Sequence, residues 1–222
     1  MKRILSRRFF PFVLLMTMAL VCGCQKVYYG TMEKLGHPKR DILVDRVADA
    51  RDTQNEAKEQ FTSALEQFMS VVNVQGGDLQ NKYDTLNAEY KKSEKKADAV
   101  RTRIKDIKKV AEALFDEWED ELDEYTNDTY RHASKQKLEQ TKMLYGNLIG
   151  TMERAESKME PVLNAFRDQV LFLKHNLNAQ AIASLQNELT SVENDIGILI
   201  REMEKSIDEA NAFIQEMTQQ DT

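Results

Sequence analysis

From Asp41 onward the apolar residues recur in steps of four and three. The first seam reads Leu43, Val47, Ala50, Gln54, Ala57, Phe61, Ala64, Phe68 and Val71, with Gln54 its one polar member. That spacing keeps one stripe of a helix facing a partner, the heptad signature of a coiled coil. Gly76-Gly77-Asp78 then ends the segment, turns the chain and offers Asp78 as a new N-cap. The second seam runs from Leu79 through Leu86, Ser93, Val100 and Ile107 to Trp118. It shifts phase at Leu122 and Tyr125, as a stutter does. Thr126-Asn127-Asp128 is the next turn, with Asp128 as candidate cap. The third seam runs from Leu138 through Leu148, Met152 and Met159 to Phe166, Val170, Leu173 and Leu177. Pro161 falls inside it. Proline lacks the amide donor and crowds the preceding turn, which predicts a kink or break near Met159–Pro161. After a turn at His175–Asn178 the fourth seam runs from Leu185 to Met217. The expected fold is all-α: an elongated antiparallel helical bundle, or coiled coil, of three to four long helices. They lie at 41–75, 78–126, 128–175 and 179–218.

Charges suggest how the segments fold back. Reflection about Gly76/Gly77 sets Asp45 against Lys108, Asp52 against Arg101, and Glu56 and Glu59 near Lys95 and Lys96. Reflection about Asn127 sets Glu117 against Lys137, Glu119 against Lys135 and Glu153 against Arg101. Each exposed pair contributes only about 0–1 kcal/mol, so these matches indicate register more than stability. Short connections likewise favour antiparallel neighbours.

Composition agrees with this reading. The 222 residues include 8 Gly and 3 Pro, too few for the many tight turns of a sandwich or barrel. Two cysteines supply neither a disulfide framework nor a multi-cysteine zinc site.

Both cysteines lie at one boundary, which makes the N-terminus the most informative stretch. Met1–Arg8 is basic, with Lys2, Arg3, Arg7 and Arg8 and no acid, and an apolar run follows from Phe9 to Val21. Its 13 residues fall short of the roughly 20 that span a bilayer, so it reads as a secretory signal. Val21-Cys22-Gly23-Cys24 then resembles the lipobox of bacterial lipoproteins. The resemblance implies cleavage between Gly23 and Cys24 and acylation of Cys24, palmitate being among the chains such proteins carry. Two or more chains anchor stably, at about 0.8 kcal/mol per buried CH₂. Gln25, in place of Asp, points by the same resemblance to the outer membrane. The organisation expected is a signal at 1–23, a lipidated Cys and tether at 24–40 (Gly30, Gly36 and Pro38 fall here), and a bundle at 41–218. Loss of residues 1–23 removes four basic residues and no acid, taking the net charge from −6 to −10. So acidic a body is a poor match for nucleic acid.

The chain carries few candidates for chemistry. His37, His132 and His175 are scattered, and no phosphate loop, dinucleotide fingerprint or nucleophile elbow occurs. Eight acids crowd the stretch from Asp116 to Asp128, and nine basic residues lie between Lys91 and Lys109. The acids read as a solvated helix end rather than a cation site, since no loop glycine or alternating ligands accompany them. The bases read as partners for acids of the first and third segments. No catalytic residue, metal or cofactor is expected, and the chain is not read as an enzyme.

Phe166–Gln180 is the least generic segment. Val170, Leu171, Phe172 and Leu173 are consecutive apolar residues, expected in a central core or at a partner or oligomer contact. Together with the Cys24 lipobox and Lys39-Arg40-Asp41-Ile42-Leu43-Val44-Asp45-Arg46-Val47, this segment resembles an uncharacterised family of proteobacterial lipoproteins with a domain of unknown function. That family implies a location and a fold and carries no assigned activity. The role expected is a structural or adaptor coiled coil, held to the membrane by its lipid and facing the periplasm. Its expected contacts are a second copy or an envelope protein. The alternative is an accessory factor that regulates an envelope enzyme or transport complex.

Overall fold

The computed structural model describes residues 38–73, 78–176 and 178–219. They form four helices: α1 (Lys39–Asn73), α2 (Leu79–Leu122), α3 (Asp128–His175) and α4 (Ala179–Gln219). No strand occurs among the described residues. The signal segment, Gly23, Cys24 and most of the tether lie outside them.

Each helix packs against its two neighbours in a ring, α1 on α2, α2 on α3, α3 on α4 and α4 back on α1. Cross-helix contacts run in opposite directions along each pair: Lys39 meets Glu117 whereas Gln60 meets Glu89, and Arg40 meets Met217 whereas Lys58 meets Glu204. The result is an up-down-up-down bundle, and α3, with 48 residues, is about 72 Å long at 1.5 Å per residue.

The heptad seams form the core. Every α1 seam position from Leu43 to Val71 is buried, Phe61 and Phe68 completely. α2 contributes Leu86, Ala97, Val100, Ile104, Ile107, Ala111 and Leu114, while Leu79, Tyr83, Tyr90 and Trp118 are only partly covered. α3 buries Leu148, Met152, Ala155, Met159 and Val162, and α4 buries Ile196, Leu199, Met203, Ala210, Phe213 and Met217. Each large side chain so placed contributes about 1.5–3 kcal/mol by its transfer from water.

Helix ends follow their capping chemistry. The Asp78 carboxylate accepts from the amides of Gln80 and Asn81, closing the start of α2. At α3 the cap is Asn127, not Asp128: its side chain accepts from the amides of Thr129 and Tyr130, and Asp128 becomes an acidic first-turn residue. α2 stops at Leu122, short of 126, because Asp123 and Glu124 tighten the last turn by bonding Asp120 and Glu121 carbonyls three residues back. α1 starts at Lys39, so Lys39 and Arg40 belong to the bundle rather than the tether.

Two expectations need correction. α3 is one continuous helix through Pro161, so the break expected near Met159–Pro161 does not occur. Pro161 and Ser157 both lie on the exposed face, so the Ser157 carbonyl left without an amide is open to water. The α2–α3 hairpin is also displaced by one heptad. Glu119 pairs with Lys142 instead of Lys135, and Glu153 with Lys108 instead of Arg101. A slip of one heptad leaves the apolar stripe facing the same way, so the seam alone does not discriminate.

Candidate functional site

Glu89 is the one carboxylate buried in the bundle among the described residues, at 8% exposure. It comes from the edge of the α2 seam, three residues after Leu86. Its Oε2 accepts from Gln60 Nε2 of α1 at 2.7 Å, and its Oε1 from Lys92 Nζ, also at 2.7 Å. Burial pushes the carboxyl upward. The hydrogen bonds from Lys92 and Gln60, with the Lys92 charge, outweigh this and hold it below the usual carboxylate range. Across from it stands Gln169 of α3, whose Oε1 is buried and meets no donor. Ala64, Leu86, Tyr90, Phe166 and Val170 complete the walls of a space of about 10 Å³. That is room for a single water and for no organic substrate. An ionised carboxylate in so closed a setting has neither a proton to donate at neutral pH nor access to a substrate. Its arrangement instead cross-links α1 to α2. The sequence signal for it was available, since position 89 falls on the core-facing side of the helix.

A second polar contact lies deeper. Ser206 of α4 donates to Gln54 Oε1 of α1 at 3.0 Å, both residues being fully buried. Gln54 Nε2 and Ser93 Oγ are buried without a partner. Gln54, Ser93 and Ser206 are the polar members of three different seams.

On the surface, the basic block of α2 pairs with acids on both sides. Lys96 meets Glu56 at 2.6 Å and Arg103 meets Asp49 at 3.4 Å on α1. Arg101 reaches α3, bonding Glu156 through Nε at 2.9 Å and Glu160 through Nη2 at 2.7 Å, and Lys108 pairs with Glu153. The acids near the end of α2 also find cations: Glu117 meets Lys39 at 2.6 Å and Glu119 meets Lys142. No three His, Cys, Asp or Glu side chains among the described residues gather around a point where a metal could sit. His132 and His175 stand near opposite ends of α3, and His37 lies outside the described residues. A concavity of about 370 Å³ is an open groove between α1 and α4 with Glu59, Glu66 and Glu204 on its walls.

The apolar run of α3 divides in two. Val170 and Leu173 are buried in the core, whereas Leu171 and Phe172 are 50% and 40% exposed. A helix cannot turn four consecutive residues to one side, so only this second pair is available to a partner. It lies at the end of the bundle opposite the start of α1.

Residues 28–217 match the family described as Protein of unknown function (DUF2959). The chain belongs to that family. The match takes in the first three helices, α4 up to residue 217, the Glu89 group and Leu171–Phe172. Comparison with curated proteins and with solved structures gives no match.

Proposed function

We propose that this DUF2959 protein is a lipid-anchored component of the bacterial envelope, cleaved after Gly23, acylated on Cys24 and serving as a structural or adaptor bundle. The observation that carries the reading is the Val21-Cys22-Gly23-Cys24 motif behind a basic and apolar leader. Two features support it. No described helix is long and apolar enough to cross a membrane, so an anchor would have to be supplied otherwise. And α1 begins 15 residues after Cys24, a distance that lets a short tether hold the bundle near a bilayer. Among the described residues the seam side chains fill the interior of the bundle, which supports a binding role over catalysis. Gln25 favours the outer membrane, with the bundle in the periplasm.

The accessory-factor reading is favoured by a separate observation, the exposed Leu171–Phe172 pair. Leu171 lies about 28 residues along α3 from the level of Lys39, or some 42 Å, which would present the pair away from the membrane.

Cys24→Ser tests the anchor. The expected result is loss of palmitate labelling with accumulation of unprocessed precursor or release from the membrane fraction. Processing and membrane retention identical to the parent chain would overturn it.

A further inference from the structure

The outward face of α2 is not used by the bundle. Its residues follow the same four-three spacing as the seam, on the opposite side, and all are exposed from Lys91 to Asp116. Lys91, Lys95 and Lys105 form no ion pair among the described residues, and neither do Glu112 and Asp116. Asp98 and Lys109 have only intrahelical partners, Arg101 at 3.0 Å and Asp106 at 3.6 Å. The charges left over on α2 are therefore ordered, lysines toward its start and carboxylates toward its end.

From this order we infer that α2 is the contact surface for a second copy of the chain, packed antiparallel across a two-fold axis. With the axis between Thr102 and Lys105, Lys91 of each copy faces the partner's Asp116. In the same register Lys95 faces the partner's Glu112, and Asp98 faces the partner's Lys109. Every charged residue on the stripe then meets an opposite charge or Thr102, and the isologous contact closes as a dimer. Sliding by one heptad either way sets like charges together, Asp98 on Asp116 or Lys95 on Lys105, so the stripe specifies one register. The interface is polar and narrow, which makes the dimer weak and salt-sensitive. The two copies' α1 starts lie on opposite sides of the axis. If both chains carry the Cys24 lipid proposed above, the pair lies along the membrane instead of standing on it.

The test uses the mature chain with Cys24→Ser, so that no lipid drives association and a negative result leaves the anchor reading untouched. In sedimentation at low salt, about 20 mM NaCl, the protein is expected to dimerise, weakening at least about tenfold at 500 mM. K91E/K95E and E112K/D116K should each lose self-association by about tenfold or more. Mixed together, they should recover it, because each reversed half then meets the other. A chain that stays monomeric at low salt up to about 1 mM, a concentration above the dissociation constants of most specific contacts, overturns the inference. So does self-association of either variant at parental strength, or a mixture that fails to recover.

Discussion

On its α1 side, α2 is crossed by a ladder of single ion pairs, Lys39–Glu117, Arg103–Asp49 and Lys96–Glu56, that ends at the buried Glu89 with its partners Gln60 and Lys92. On its α3 side the contacts are of another kind. Arg101 forks to Glu156 and Glu160, and Trp118 Nε1 donates to Ser134 at 2.8 Å. Phe115 meets Tyr145 edge-on, with centroids 5.4 Å apart and planes at 73°, while Lys142 stands 5.6 Å over the Phe115 ring. Both hairpins share the same sort of seam, and a seam tolerates slippage by whole heptads. The apolar core supplies most of the free energy in each hairpin, and the polar and aromatic contacts select which register that core adopts. They do so by a buried carboxylate in one case and an arginine fork with ring packing in the other.

The largest effect should come from the shared part. Phe61 is fully buried where α1 faces the interior, and Phe61→Ala should cost about 3–5 kcal/mol by removing a large side chain and leaving a cavity. Urea unfolding followed by circular dichroism reads this directly. A cost under about 1 kcal/mol would mean that the site collapses freely and that the α1 seam is not what holds the first hairpin.

Next comes the device peculiar to that hairpin. Glu89→Ala leaves the Gln60 amide without its acceptor and should cost about 1–3 kcal/mol. The pH dependence has a definite sign. The folded carboxyl sits below its ordinary value of 4.5, so its contribution is present above that value and is lost as pH falls through the lowered folded pKa. The gap in stability between parent and variant should hold constant at neutral pH and narrow below about 4.5. A gap that stays constant into strong acid would show that Glu89 contributes by shape and not by charge.

The α3 side offers a gain instead. Gly146 is exposed within α3, and a Cβ built there meets nothing within 4 Å. Gly146→Ala should stabilise the protein by about 0.5–1 kcal/mol, because glycine in a helix interior loses more backbone freedom on folding. Thermal unfolding would register it as a higher midpoint. An unchanged or lowered midpoint would indicate that α3 needs flexibility at this turn to fit against α2.

How much of this was legible beforehand varies with the physics of each feature. The seams were visible for most positions from Leu43 to Met217, since periodicity depends on local spacing alone. The α1–α2 register was legible through Glu56 and Lys96, whose opposite charges stand at matching distances from Gly76/Gly77 and meet in the bundle. The α2–α3 register was not, because a heptad slip costs the seam nothing and acids recur along α2 and α3 at spacings that offer the basic residues a partner in either register. The continuity of α3 through Pro161 was not legible because it depends on which face the proline occupies, and an exposed face lets water take the orphaned carbonyl. Asn127 and Asp128 are both good caps, and only the backbone chooses between them. Glu89 was missed as a core residue because a charged side chain is read as solvated unless its partner Gln60, 29 residues away, is known to arrive. Of the apolar run, the third seam already includes Val170 and Leu173 and leaves out Leu171 and Phe172, so the division into a buried and an exposed pair was legible in the four-three count.

The smallest expected effect bears most directly on the difference between the hairpins. Double-mutant cycles on Lys96–Glu56 and on Arg101–Glu156 measure one register contact from each side of α2. Lys96 and Glu56 are 36% and 61% exposed, so a coupling of about 0–0.5 kcal/mol is expected, and salt should erase it. Arg101 and Glu156 are less exposed, at 29% and 32%, and the guanidinium is already fixed by Asp98 and Glu160. Less side-chain entropy is then lost on forming the pair, and a coupling nearer 0.5–1 kcal/mol should survive moderate salt, at about the upper end for exposed pairs. Equal couplings would remove the arginine fork as the feature that sets the α2–α3 register. The choice would then rest on Phe115, Tyr145 and the Trp118–Ser134 hydrogen bond. In that case Phe115→Leu, which keeps the volume apolar but loses the edge-on ring contact, should alter the second hairpin more than Arg101→Ala does.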